Sequence, residues 1–283
     1  MPLSYRLDFA SFVMTSPLPL PALLEQTLRL AREAGDAIMQ IYASDFSVTQ
    51  KDDHSPLTQA DLAAHRIIAA GLAQLEPHLP LLSEEGAELP FASRASWPRY
   101  WLVDPLDGTK EFVKRNDEFT VNIALIDDGI PILGIVHAPA LQVSYFAAKG
   151  LGAFRLRNGE REAIRTRRTP ARPCLVVSKS HRDAALDAFL AHAPAHDEAS
   201  RGSSLKFCLI AEGSADFYPR TGPTSEWDTG AGQCVAEVAG ATVLTLPHWA
   251  PLHYNRKASL LNPGFVVIGD TAYGWREKLQ STP

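Results

Sequence analysis

The chain has 283 residues, 46% of them hydrophobic and 21% charged, with a net charge of −5. That apolar content excludes disordered and fibrous classes, and the acidic balance excludes a glove for nucleic acid. No apolar run approaches the roughly 20 residues of a membrane-spanning helix, because Pro17, Pro19 and Pro21 interrupt the most apolar N-terminal stretch.

Residues 1–20 lack a basic start, an apolar core and a small-residue cleavage site. They read as a tail, with Met14 an alternative start. From Pro21 onward Leu24, Leu28, Ala31, Gly35 and Ile38 recur at helical spacing. Thr58-Gln59-Ala60-Asp61 resembles a capping box, which predicts a second helix through Ile67, Ile68, Leu72 and Leu75 with Asp61 in its first turn. Extended runs at Leu81 to Ser83 and Tyr100 to Val103 end directly in carboxylates. Thr120 to Ile126 and Ile130 to His137 flank Asp127-Asp128-Gly129 and predict a hairpin. From Asn158 to Pro173 the chain is polar, with Arg161, Arg165, Arg167, Arg168 and Arg172, and without periodicity. The expected domain boundary lies there, between residues 21–165 and 166–283. Beyond it follow a strand at Leu175 to Val177, a helix from Ser204 to Glu212, a strand at Ala215 to Tyr218, a helix opened by Asp228 and ended at Gly240, and a strand at Thr242 to Leu244. This alternation places the chain in the α/β class. Cys174, Cys208 and Cys234 form neither a CxxC pair nor an even set, so a reducing cytoplasm is expected and a disulfide framework is not.

Trp101-Leu102-Val103-Asp104-Pro105-Leu106-Asp107-Gly108-Thr109 is an apolar strand that ends in two carboxylates held by a rigid Pro and a permissive Gly. Such a turn can aim Asp104, the Leu106 carbonyl and Asp107 at one point, an all-oxygen set suited to Mg²⁺. The alternative is a turn with ordinary caps. Two further acidic junctions, Leu82-Ser83-Glu84-Glu85-Gly86 and Glu226-Trp227-Asp228-Thr229, favour the metal reading. Without cations, each pair of carboxylates about 4 Å apart would repel by roughly 4 kcal/mol at an effective dielectric near 20. Glu84, Asp104, Asp107 and Asp228 therefore either share cations or lie apart, and spacing alone leaves both open. Gly108-Thr109-Lys110 opens a helix whose free N–H groups suit a phosphate oxygen, or is an ordinary cap with Lys110 in solvent. Asp61 by itself reads as a first-turn helix acid. His192 and His196 are spaced HxxxH, but Pro194 between them disfavours a zinc-binding helix.

Leu82-Ser83-Glu84-Glu85, Asp104-Pro105-Leu106-Asp107-Gly108-Thr109 and Trp227-Asp228-Thr229 resemble, in order and spacing, the three signatures of the lithium-sensitive, magnesium-dependent inositol monophosphatase superfamily. The likeness extends to its bisphosphate-nucleotidase branch through Phe119-Thr120-Val121-Asn122-Ile123, Gly202-Ser203-Ser204-Leu205-Lys206 and Leu261-Asn262-Pro263-Gly264-Phe265, and covers about Leu24 to Phe265. It implies a layered α/β/α/β/α sandwich with a metal-binding N-terminal domain and a substrate-binding C-terminal one. It implies that Glu84, Asp104, the Leu106 carbonyl, Asp107 and Asp228 ligate two or three Mg²⁺ ions, and that Asp61 with Thr109 orients and deprotonates the attacking water. Glu84, Asp107, Gly108, Thr109, Lys110, Ser204 and Asp228 would contact substrate. Ser178-Lys179-Ser180-His181 and Tyr218-Pro219-Arg220 resemble nucleotide-binding segments, with Lys206 and Arg220 holding a 5′-phosphate; the alternative is a solvated helix Lys and an Arg in a surface ion pair. The implied reaction removes the 3′-phosphate of adenosine 3′,5′-bisphosphate to give AMP, with action on the sulfated analogue, in recycling of the sulfotransfer by-product. Competing readings are an inositol monophosphatase or sugar bisphosphatase on the same scaffold, and a non-catalytic regulator. The implied partner is a small nucleotide and not a nucleic acid. The chain would be a monomer or homodimer in the cytoplasm, where some members lie at the inner face of the membrane. Gly230 and His253 depart from the close relatives in that branch, which carry Ala and Asp there.

Overall fold

The computed structural model describes residues 18–44, 56–86, 89–177 and 184–280. The tail with Met14, and Ser178-Lys179-Ser180-His181, lie outside the described residues. Helix α1 (Leu20–Tyr42) starts beside Pro21, whose missing N–H costs nothing in a first turn, and buries Leu24, Leu28, Ala31, Gly35 and Ile38 on one face. Helix α2 (Pro56–Leu72) begins two residues before Thr58. Thr58 is therefore inside the helix and is not its cap, and Asp61 sits in the second turn and not the first.

Seven strands form the first sheet in sequence order: β1 (Leu81–Ser83), β2 (Arg99–Asp107), β3 (Thr120–Asp127), β4 (Ile130–Ala138), β5 (Val143–Ala148), β6 (Gly152–Arg157) and β7 (Glu160–Ala163). Only β1 and β2 run parallel; every other neighbouring pair is antiparallel. The expected hairpin is β3–β4, turned by Asp128 at φ 48° and Gly129 at φ 73°, both left-handed as a two-residue turn with the sheet's twist requires. Two short helices, α3 (Phe91–Arg94) and α4 (Thr109–Val113), flank β2. Strand β7 falls in the stretch read as aperiodic and polar: all four of its residues are exposed, so no apolar alternation marks it.

The chain crosses at 164–173 to a five-stranded sheet ordered β11-β12-β10-β8-β9, made of β8 (Cys174–Val176), β9 (Asp197–Ala199), β10 (Phe217–Arg220), β11 (Thr242–Thr245) and β12 (Phe265–Ile268). The remaining helices are α5 (Ala184–Leu190), α6 (Leu205–Ala211), α7 (Glu226–Val238) and α8 (Trp275–Gln280). Period-two alternation sorts the strands into layers. Trp101 and Val103 of β2 face α1 and α2, whereas Tyr100 and Leu102 face α6 and α7. In β12, Phe265 and Val267 turn to that same inner layer, while Val266 and Ile268 face α5 and α8. The result is helix, sheet, helix, sheet, helix. Helices α6 and α7 follow the crossover in sequence yet fill the space between the sheets, so one apolar cluster is continuous from Leu102 to Val267. Contact is close: a Cβ on Gly134 of β4 would lie 2.5 Å from the Ala231 carbonyl of α7. At Gly230 it would lie 2.9 Å from Leu102 Cδ2, the movable end of a side chain.

Candidate active site

Strand pairing assembles the acidic groups. Parallel register sets Ser83 beside Val103, so the next residues, Glu84 and Asp104, leave the two strand ends side by side. Against β3, Asp104 is opposite Asn122 and Asp107 opposite Thr120; Pro105 and Leu106 bulge out between, and the Leu106 N–H donates to Asp104 Oδ1 at 3.0 Å. Asp228 comes from the first turn of α7, which starts at Glu226, two residues earlier than expected; the Ser225 N–H donates to Asp228 Oδ2 at 2.8 Å. Asp61 approaches from α2.

These carboxylates act on one another. Burial, then the charge of Asp107, Glu84, Asp228 and Asp61, raises Asp104 well above the carboxylate range. Glu84 is raised by burial first, with a hydrogen bond to Asp104 opposing. Asp228 is pushed up to about 7 by burial and Asp107, and Asp61 to about 8 by burial and the neighbouring Glu85 and Glu84. Asp107 is raised by burial against the pull of Lys206 and its hydrogen bonds. Among the described residues no three acidic, histidine or cysteine side chains close on one point tightly enough to cage an ion as they stand. Mutual repulsion reaches farther than coordination, which needs about 2.0–2.1 Å for Mg²⁺. The donor set still fits hard cations. It is all oxygen, its charges repel, and Asp61 Oδ1 is buried with no hydrogen-bond partner.

Asp107 is the most strongly held. Its Oδ2 accepts from Ser204 N at 2.8 Å and Asn122 Nδ2 at 3.3 Å, with Ser204 Oγ at 3.2 Å and Thr120 Oγ1 at 3.5 Å. Ser204, expected at substrate, is 1% exposed; its hydroxyl donates to the Asp228 carbonyl at 2.7 Å and so ties two acidic loops together. Ser203 Oγ lies 2.9 Å from the Asp107 carbonyl and 2.8 Å from that of Glu118. Sequence reasoning assigned no role to Thr120, Asn122 or Ser203. A buried Thr and Asn inside the apolar run Thr120 to Ile126 were the available signal.

A cavity of about 430 Å³ opens beside Asp107 and Asp228. Gly108, Thr109 and Lys110 line it, together with Lys206, Tyr218 and Arg220. Glu84, Asp104 and Asp61 are not among its lining residues, and no hydrogen bond joins Asp61 to Thr109. Lys206 is not a solvated helix lysine: it is 7% exposed, its Nζ donates to the Arg201 carbonyl at 3.1 Å, and burial draws it down to about 8 against the pull of Asp107. Arg220 donates from Nη2 to the Pro223 carbonyl at 3.0 Å, and its Nε is buried without a partner. Among the described residues no carboxylate pairs with it. The two cations thus line the same cavity as Asp107 and Asp228.

Over 253 residues the chain is 55% identical to the 3′(2′),5′-bisphosphate nucleotidase CysQ of Escherichia coli O157:H7, covering 87% of this chain and 99% of that one. The Salmonella typhimurium protein of the same name is 54% identical over 250 residues, with 87% and 99% covered. The crystal structure of CysQ from Bacteroides thetaiotaomicron superposes with a TM-score of 0.83 at 38% identity, over 89% of this chain and 99% of that one. The model of the inositol monophosphatase family matches residues 21–264, and the chain belongs to that family.

Proposed function

We propose that this chain is a Mg²⁺-dependent phosphatase that removes the 3′-phosphate of adenosine 3′,5′-bisphosphate, yielding AMP and phosphate, and that it also accepts the sulfated analogue. The family is in general metal-dependent. The observation that carries the reading is the cavity itself, lined both by Asp107 and Asp228 and by Lys206 and Arg220. An inositol monophosphate has one phosphate to offer; a nucleoside bisphosphate has two, and suits a cavity that offers two cations besides its metal-binding carboxylates.

Glu84, Asp104, the Leu106 carbonyl, Asp107 and Asp228 would hold two or three Mg²⁺ ions, which when bound neutralise the carboxylates, make water acidic and polarise the phosphoryl oxygens. Asp61 Oδ1, buried and unpartnered, accepts the proton of the attacking water. Thr109 orients that water, and Gly108 with Lys110 borders the transferred phosphate. Lys206 and Arg220 hold the second phosphate, the buried Lys as a point charge and the Arg as a planar guanidinium lining the cavity. The place of this reaction is disposal of a sulfotransfer by-product in the cytoplasm. Among the described residues no helix is long and apolar enough to cross a membrane.

The test is phosphate release from adenosine 3′,5′-bisphosphate, inositol 1-phosphate and fructose 1,6-bisphosphate, with Mg²⁺ and then with Li⁺ added. A Li⁺-sensitive preference for the nucleotide of about 100-fold in kcat/KM, roughly 2.7 kcal/mol of differential transition-state binding, is expected. A preference for inositol phosphate would keep the phosphatase and refute the nucleotide assignment.

A further inference from the structure

The site draws Glu84, Asp104 and Asp107 from one sheet but Asp228 from a helix packed across it. Coordination tolerates errors of only about 0.2 Å, so the first turn of α7 must be fixed against that sheet. Three buried residues outside the mechanism above meet at that turn. Arg94, the last residue of α3, is 1% exposed; its Nη1 donates to Asn255 Oδ1 at 2.5 Å and its Nη2 to the Ala258 carbonyl at 2.6 Å. Asn255 returns a bond from Nδ2 to the Arg94 carbonyl at 2.7 Å. Its own N–H lies 3.0 Å from both carboxylate oxygens of Glu226, the first residue of α7. Asn255 holds φ 54°, a left-handed conformation that Asn tolerates better than most residues. The same segment grips the turn again: Tyr254 Oη donates to Thr229 Oγ1 at 3.1 Å, and Asn262 Nδ2 to the Ser225 carbonyl at 2.8 Å.

Buried opposite charges seldom repay their desolvation as stability; their best-attested use is to fix one register. We propose that Arg94, through Asn255 and Glu226, is a positioning residue that locks the first turn of α7 and so sets the Asp228 carboxylate against Glu84 and Asp107. The proposal rests on the reading of Asp228 as a metal ligand.

The test uses the full chain and two disconnecting variants. Arg94→Met with Glu226→Gln removes both buried charges together, and Asn255→Gly keeps the left-handed backbone and its N–H but cuts the link to Arg94. Mn²⁺ binding is measured by electron paramagnetic resonance without substrate, and steady-state kinetics are run across Mg²⁺ concentrations. Expected in both variants are a loss of Mn²⁺ affinity of about tenfold, roughly 1.4 kcal/mol, and a matching rise in half-saturating Mg²⁺. The KM for the bisphosphate at saturating Mg²⁺ should stay within about twofold, and Arg94→Lys should recover part of the affinity. A lowered Tm with wild-type Mn²⁺ affinity in either folded variant overturns the positioning role. Asp228→Asn separates the two readings: if it too binds Mn²⁺ like wild type, the ligand assignment fails and the proposal with it, whereas loss there alone refutes positioning only.

Discussion

At the scale of single residues, the site depends on carboxylates whose charge the fold does not welcome. Asp107 shows this best, since four polar groups surround one of its oxygens and it is still raised by burial. Asp107→Asn keeps the shape and the acceptor but removes the charge. Turnover should fall by at least about 10²–10³-fold, the size of effect seen when one transition-state stabilising group is lost, while Tm in EDTA stays equal or rises. A large drop in Tm would make Asp107 a structural residue. Lys206→Ala and Arg220→Ala should each raise KM for adenosine 3′,5′-bisphosphate about tenfold or more, near 1.4 kcal/mol, and leave that for inositol 1-phosphate little changed. Equal effects on the two substrates would remove the second phosphate from Lys206 and Arg220. The carboxylates themselves were legible in the sequence because rigid strand-end motifs carry them. Asn122, Thr120 and Ser203 were not, because their part is defined by what lies across the sheet or in the next loop.

At the scale of elements, two glycines set how closely the pieces approach. Gly108 holds φ 93° between Asp107 and α4, and a Cβ there would meet Ser203 Oγ at 2.1 Å. Gly108→Ala therefore combines a left-handed alanine with displacement of the serine that touches the Asp107 carbonyl. A loss of about 1–3 kcal/mol in stability is expected, accompanied by a larger fall in kcat than in thermal stability, readable by denaturant melts beside kinetics. Gly134→Ala pushes β4 away from α7 and should cost about 1–3 kcal/mol by overpacking. Because its neighbour is the Ala231 backbone and not a movable side chain, a neutral result would show that the two elements separate freely. Helix ends were the least legible features. Helix α2 runs ahead of Thr58 and α7 ahead of Asp228, since local caps compete with tertiary contacts that the sequence does not display.

At the scale of the whole molecule, burying so many acids links stability to pH. Burial and neighbouring carboxylates push Asp61 up to about 8 and Asp228 up to about 7 in the fold, from an ordinary value of 3.8. The unfolded chain releases those protons first, so the stability they confer is complete below about pH 4 and is lost as pH rises towards 7–8. His137, buried and held neutral down to about 4 from an ordinary 6.5, works the other way, losing its contribution as pH falls below 6.5. In EDTA, Tm should decline from about pH 6.5 to 8, where His137 is silent, and saturating Mg²⁺ should flatten that decline by favouring the ionised acids. A flat profile in EDTA would mean that the carboxylates are not coupled as the fold suggests. The sequence by itself determined the α/β class, the order of the strand-end carboxylates and the family likeness, because strand periodicity and rigid turns are written in neighbouring residues. Only the tertiary structure decided that α6 and α7 fill the space between the sheets, that Lys206 and Arg220 line one cavity with Asp107 and Asp228, and that Arg94 reaches Asn255. Burial, charge and hydrogen bonding depend on groups brought together from distant parts of the chain, and those neighbours exist only once it has folded.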